Sequence, residues 1–351
     1  MNSIICASCN NLISVRFETA FIDQVKVHNC FLAIKPERGK APFLRNIKDS
    51  VGNVFDIAPG GFIERRRDFQ YEQEIDEANR MVNIRMQGSS ERQIRRKIAE
   101  LKAKYGDRLN PITTTRELSF PEAQFNFRSE FGEAALRTVA KMAFEYLATH
   151  VARWRVVEPA FDPIRDYIMN GVVADRPPVF FDAQAPAVQL VLGPVDHSIT
   201  MIASEVAGAT YAYVRLYGGL FFCILLTHQW NGPSVSWEHV VNPLTGEARD
   251  QSIGINSPLG VADILMAEAV VASTPGASRA MMQDTASKIM QISEERRPDL
   301  QREYLVGKAW RETVDAKNGQ PITREDINRF SEYVVRELVE PYLKVPGTLE
   351  A

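Results

Sequence analysis

Cys6 and Cys9, three apart in Cys6-Ala7-Ser8-Cys9-Asn10-Asn11, are the residues whose types and spacing most directly suggest chemistry. Two thiolates so placed supply one side of a tetrahedral structural zinc site, which wants a second close pair of ligands. No second Cys-x-x-Cys exists, because the other two cysteines are Cys30 and Cys223. His28 and Cys30 could complete the cage, but a helix is expected across the residues between Cys9 and His28.

That helix spans about residues 10–32, with Leu12, Ile13, Phe17, Ala20, Phe21 and Val25 near a helical period. Residues 33–62 carry Pro36, Gly39, Pro42, Gly52, Pro59, Gly60 and Gly61, which is turn chemistry with room for two short strands. A polar helical stretch follows. Ser90-Glu91-Arg92-Gln93 has a capping-box pattern and opens a helix over 90–105, with Ile94, Ile98 and Leu101 on one face. Arg92, Arg95, Arg96, Lys97, Lys102 and Lys104 should face outward from it. Residues 107–127 read as a Pro- and Thr-rich connector. From Glu130 to His150, the spacing of Leu136, Val139, Ala140, Ala143 and Leu147 predicts an amphipathic helix. Between 178 and 242, six β-rich runs and the Gly218-Gly219 turn predict an antiparallel meander; they include Val179–Phe181, Val188–Leu192 and Leu220–Thr227. The C-terminal hundred residues return to helix, the last opening at Thr323-Arg324-Glu325-Asp326 and stopping at Pro341.

The chain has 351 residues, of which 45% are hydrophobic and 24% charged, enough for one large domain or two ordinary ones. No apolar run is long enough for a membrane span, and no signal-peptide pattern opens the chain. With four cysteines, a disulfide framework is not expected and a reducing cytoplasm fits. Net charge is −3, yet residues 1–120 hold 20 Lys and Arg against 15 Asp and Glu, leaving 21 against 29 for the rest. A basic N-terminal third suits contact with a polyanion, and solvated helix faces would give the same composition.

Other chemistry-bearing residues have structural explanations. Asp196-His197 lies in a strand pattern, and Cys223, His228 and His239 alternate within a β-rich run, where packing accounts for them. His150 ends a helix, where positive charge is favourable. Arg65, Arg66 and Arg67 form a run that an exposed turn explains as well as a phosphate contact does. No Gly-x-Ser-x-Gly, phosphate loop or paired-histidine metal motif supports an unrelated hydrolase.

Cys6-Ala7-Ser8-Cys9-Asn10-Asn11-Leu12-Ile13-Ser14, with Arg16-Phe17-Glu18 on the helix that leaves it, resembles the second zinc knuckle of HNH-type (ββα-metal) endonucleases. The match is to the bacterial branch, in which a large helical and β-rich domain follows the knuckle. The resemblance implies a structural Zn2+ on Cys6 and Cys9, and Asn10 at the third position of the signature. It also implies Mg2+ or another divalent cation at the scissile phosphate, with a histidine activating water. Asn2 falls near the middle asparagine. The first histidine and first Cys-x-x-Cys have no counterpart after Met1, so the expectation is an N-terminally truncated form impaired in DNA cleavage.

The expected fold is α+β: a partial HNH-like zinc-knuckle segment over 1–62, a basic helical region and connector over 63–128, and a domain with an antiparallel sheet and packed helices over 129–351. The expected partner is DNA, contacted by Arg16, Arg65, Arg66, Arg67, Arg92, Arg95, Arg96 and Lys97. The alternative is a non-catalytic protein that binds nucleic acid, another protein or a second copy of itself.

Overall fold

The computed structural model describes residues 11, 13–36, 39–50, 52–65, 70–76, 81–87, 91–106, 127, 131–173, 177–181, 193–252, 277–314 and 321–338. Along the chain run α1 (Thr19–Phe31), β1 (Leu44–Lys48), β2 (Val54–Ala58), β3 (Phe62–Arg65), β4 (Gln70–Asp76), β5 (Met81–Gln87) and α2 (Glu91–Tyr105). Next come α3 (Glu133–His150), α4 (Arg153–Val156), α5 (Asp162–Asn170), β6 (Val179–Phe181), β7 (His197–Ser204) and β8 (Ala209–Leu216). β9 (Leu220–Thr227), β10 (Val235–Val241), β11 (Ala248–Ser252), α6 (Ala277–Thr313) and α7 (Arg324–Leu338) complete the order. The fold class is α+β, as the sequence pattern predicts. Among the described residues, no helix is long and apolar enough to cross a membrane.

Contacts divide the chain into two units, residues 1–40 with 128–294, and residues 41–127 with 295–351. The sequence reading divides the chain at 62 and 128, whereas the contacts group it with breaks near 40, 128 and 294. The reason is α1, whose apolar side chains share a core with elements more than a hundred residues later.

In the first unit, β6–β11 form one antiparallel sheet in the order β11-β10-β7-β8-β9-β6. α3 is built from strong helix formers, and its Ala135, Val139, Ala143 and Leu147 recur at helical spacing and are buried. They share a core with Met201, Ala212, Val214, Phe222 and Ile224 of the sheet. Phe17, in a π-helical turn over Ser14–Glu18, joins Phe21 and Val25 of α1 in that same core.

Polar ties fix these helices. Lys141 Nζ donates to Glu18 Oε1 at 2.7 Å and to Glu145 Oε2 at 3.2 Å. Burial works against the Lys141 charge, but the hydrogen bonds and charges of Glu18 and Glu145 leave its pKa raised. Arg137 donates from Nε and Nη2 to the Ile168 carbonyl at 3.0 and 2.9 Å, and from Nη2 to the Met169 carbonyl at 2.7 Å. Those are last-turn carbonyls of α5, which its own helix leaves without N–H partners.

The second unit holds a three-stranded sheet, β1-β2-β3, and a separate β4–β5 hairpin. The hairpin replaces part of the helical stretch expected after residue 62. Its sequence alternates, and the register sets Tyr71, Gln73 and Ile75 opposite Met86, Ile84 and Val82, a period of two that suits a pleated strand. Within this unit Phe62 stacks on Tyr304 with ring centroids 5.1 Å apart. α7 begins as expected: Thr323 N and Oγ1 donate to Asp326 Oδ2 at 2.7 and 2.5 Å, and Asp326 N donates to Thr323 Oγ1 at 3.3 Å.

Candidate functional site

Several residues singled out from the sequence lie outside the described residues: Cys6, Cys9, Asn10, Arg66 and Arg67, with Asn2 and the Val188–Leu192 run. Arg65 closes β3, and Arg92 and Arg95 lie on α2. Arg16 is exposed on the π-helical turn.

His28 and Cys30 both lie on α1, two residues apart. At 3.6 residues per turn their side chains leave the helix about 200° apart, so the pair does not converge on one ion. Cys30 is fully buried. His28 packs against Tyr217 with ring centroids 5.0 Å apart, and burial lowers its pKa to about 4. His197 flanks the same tyrosine at 4.6 Å, and its pKa is also lowered to about 4 by burial, against an opposing pull from Asp196. These groups are neutral packing elements near pH 7, and the sequence reading of Asp196-His197 as structural matches that position. Zinc completion by His28 and Cys30 does not fit this geometry, and among the described residues no group of three or more His, Cys, Asp or Glu is placed to hold a metal ion.

α2 displays basic residues in the second unit, with Arg96 opposite its apolar stripe and Lys102 and Lys104, two residues apart, flanking that stripe on either side. Leu101 is buried, Ile94 and Ile98 are half-buried, and Arg96, Lys102 and Lys104 are exposed, so the amphipathic pattern is realised as the spacing predicts. Lys97 donates to Glu100 Oε1 at 2.8 Å, which holds the Glu100 carboxyl below its usual range and takes Lys97 partly out of that basic set. With a rise of about 1.5 Å per residue, Arg96, Lys102 and Lys104 span about 12 Å of helix.

A second constellation sits in the first unit where the end of α3 meets β10 and β11. β10 alternates, so Trp237 and His239 share one face of the sheet, and the register sets Asp250 directly opposite His239. His239 Nδ1 and Asp250 Oδ1 are 2.7 Å apart. A carboxylate only accepts, so Nδ1 carries the hydrogen and Nε2 keeps its lone pair when the ring is neutral. From α3, the Tyr146 ring lies 6.0 Å from His239 and 4.5 Å from His150, and His150 lies 4.8 Å from Trp237. His150 Nδ1 is 3.0 Å from the Tyr146 carbonyl and 2.9 Å from Thr149 Oγ1. The Thr149 hydroxyl hydrogen goes to that same carbonyl at 2.7 Å, so His150 also donates through Nδ1 and leaves Nε2 open. The Tyr146 hydroxyl is buried and, among the described residues, has no hydrogen-bond partner. Burial first, then Asp250 and Glu238, push its pKa up and keep it protonated.

The sequence reading assigned His150 to a helix end and His239 to strand packing. It missed Asp250 because β11 was not anticipated. The available signal was the turn chemistry of Asn242-Pro243-Leu244-Thr245-Gly246, which closes the β10–β11 hairpin through backbone bonds between Asn242 and Glu247 and between Gly246 and Asn242. Cys223 does not join His239, since the pairings place it with Tyr213 on the other face of the sheet.

The chain matches no family model, no curated protein and no solved structure.

Proposed function

We propose that the protein acts on nucleic acid, binding DNA through α2. The observation that carries this reading is the exposure of Arg96, Lys102 and Lys104 around a helix whose apolar stripe holds the buried Leu101. Ammonium and guanidinium groups along one helix displace counterions condensed on a polyanion, so such binding weakens steeply with salt. Fluorescence anisotropy of a labelled duplex at 50–200 mM salt, for the wild type and for Arg96→Ala/Lys102→Ala/Lys104→Ala, tests it. Indistinguishable binding by the two proteins would sink the reading.

A second reading comes from the HNH-type resemblance: DNA cleavage that requires a divalent cation, with Cys6 and Cys9 holding Zn2+ and Asn10 at the third position of the signature. Its support is the anchoring of α1, the helix that follows the knuckle, through Phe17, Phe21 and Val25 and the Glu18–Lys141 pair. A knuckle attached to that helix starts from a fixed base. Cleavage of a duplex with added Mg2+ or Mn2+, set against EDTA and the Cys6→Ser and Asn10→Ala variants, tests this reading.

A further inference from the structure

We propose that Tyr146, His150, His239 and Asp250 form an acid–base site that cleaves RNA by means of the RNA's own 2′-hydroxyl. The proposal does not rest on DNA binding by α2, which lies in the other unit.

The argument starts from what each group has left to give. His239 spends Nδ1 on Asp250 and His150 spends Nδ1 on the Tyr146 carbonyl, so each imidazole has Nε2 free for proton transfer. The carboxylate of Asp250 fixes the His239 tautomer and orients its Nε2 as the acceptor nitrogen. His239 is open to solvent, with its side chain 32% exposed. Tyr146, whose hydroxyl is buried with no partner among the described residues, packs against both imidazoles and holds them in place. Trp237, beneath His150, adds an aromatic surface on which a base can stack.

Among the described residues, these contacts bring together two proton carriers and a stacking surface, but no serine, cysteine or lysine nucleophile. The Thr149 hydroxyl gives its hydrogen to the Tyr146 carbonyl. A site of this make-up suits a substrate that brings its own nucleophile next to the bond to be broken. RNA does so, with a 2′-hydroxyl adjacent to each phosphodiester.

The steps balance without an oxidant or co-reactant. His239 Nε2 takes the proton from the 2′-hydroxyl as the 2′-oxygen bonds to phosphorus. The bond from phosphorus to the 5′-oxygen breaks, and that oxygen takes a proton from Nε2 of protonated His150. The products are a 2′,3′-cyclic phosphate and a 5′-hydroxyl, and the two rings exchange protons with water to reset. Tyr146, whose hydroxyl is buried, is a positioning residue that packs against both imidazoles. Asp250 is a positioning residue that acts through His239.

The test is cleavage of a dinucleoside monophosphate and its 2′-deoxy counterpart by the full chain in EDTA, with products identified by mass. Expected are a 2′,3′-cyclic phosphate from the ribose substrate and no cleavage of the deoxy one. His239→Gln and His150→Gln should each lower kcat/KM by about 100-fold or more. Asp250→Asn should lower it about tenfold, with activity restored by Asp250→Glu. Circular dichroism and unfolding midpoints separate loss of chemistry from loss of fold, and His239→Gln should leave the salt dependence of DNA binding unchanged. No cleavage above buffer, or cleavage undiminished in correctly folded His239→Gln, would overturn the proposal.

Discussion

The Lys141 ammonium lies 2.7 Å from the Glu18 carboxylate across 123 residues of chain, joining the turn that leads into α1 to the helix that covers the sheet. Lys141 is only 9% exposed and Glu18 25%, so solvent screens the pair less than it does a surface bridge. Removing one partner leaves the other largely desolvated, and we expect Lys141→Met or Glu18→Gln to cost about 2 kcal/mol each. In a double-mutant cycle read by urea midpoints, the coupling should be about 1–2 kcal/mol. A coupling near zero would show the pair to be incidental.

The His28–Tyr217–His197 stack makes the first unit acid-sensitive. Both imidazoles have folded pKa values near 4, against about 6.5 in an unfolded chain, so below pH 6.5 the unfolded state takes up protons that the folded state refuses. Stability is therefore complete above pH 6.5, falls as pH drops to 4, and stops falling on this account below that. At about 1.4 kcal/mol per pH unit, each histidine accounts for a loss of about 3 kcal/mol. Urea unfolding of the wild type and of His28→Phe/His197→Phe at pH 7.5 and 4.5 checks this, and the variant should lose markedly less stability between the two. An equal loss in both proteins would mean that other groups set the acid limit.

The elements legible in the sequence are those specified locally. α3, α2 and the opening of α7 followed from apolar spacing and capping residues, because a helix satisfies its backbone within a few residues. The meander followed from strand runs broken by Gly218-Gly219. What could not be read depends on partners far away. The period-two alternation of β4–β5 was present in Val82, Ile84 and Met86, but with Asn83 and Arg85 between them and Glu72, Glu74 and Asp76 before them the stretch read as a polar helix. The joining of residues 1–40 to 128–294 rests on contacts such as Phe17 with α3, which no local pattern encodes. The His239–Asp250 pair needed a register between two strands, one of which had not been recognised.

Arg137 organises three elements at once. Its guanidinium reaches two last-turn carbonyls of α5 and lies 4.5 Å from the Phe17 ring. A lysine offers a point charge rather than a planar fork, so Arg137→Lys should keep one of these bonds and lose the stacking. We expect about 2 kcal/mol lost for Arg137→Lys and about 3–4 kcal/mol for Arg137→Ala, measured by chemical denaturation. Equal losses would mean that the retained charge contributes nothing and that the planar fork accounts for the whole effect.

Salt dependence measures the α2 contacts directly. Each phosphate contact contributes about 0.9 to the slope of log affinity against log salt, so removing Arg96, Lys102 and Lys104 should reduce that slope by about 2 to 3. Leu101→Ala instead empties a buried position in the apolar stripe, and should cost about 2–4 kcal/mol of stability. An altered slope in a stable triple variant identifies the contact surface; an altered stability with an unchanged slope identifies a structural helix.

Two glycines in the left-handed region should respond very differently to alanine. Gly171 ends α5 at φ +71°, and an added Cβ would press on the end of the Glu133 side chain, which is 66% exposed and able to swing away, and would touch Arg137 Nη1 at 3.4 Å. Gly171→Ala therefore carries little more than the left-handed backbone penalty, about 1 kcal/mol. Gly218, at φ +65° in the β8–β9 turn, would place its Cβ 2.1 Å from the Pro194 carbonyl oxygen. That oxygen belongs to backbone next to Asp196, whose own carbonyl accepts the Gly218 N–H at 3.0 Å. Relieving the clash means giving up the bond that seats the turn, and with it the neighbouring Tyr217 between its two histidines. Gly218→Ala should cost about 3 kcal/mol or more, and should raise the folded pKa values of His28 and His197 towards 6.5 as the stack loosens. NMR titration of the two imidazoles checks this, and unshifted values in a destabilised variant would separate the turn from the stack.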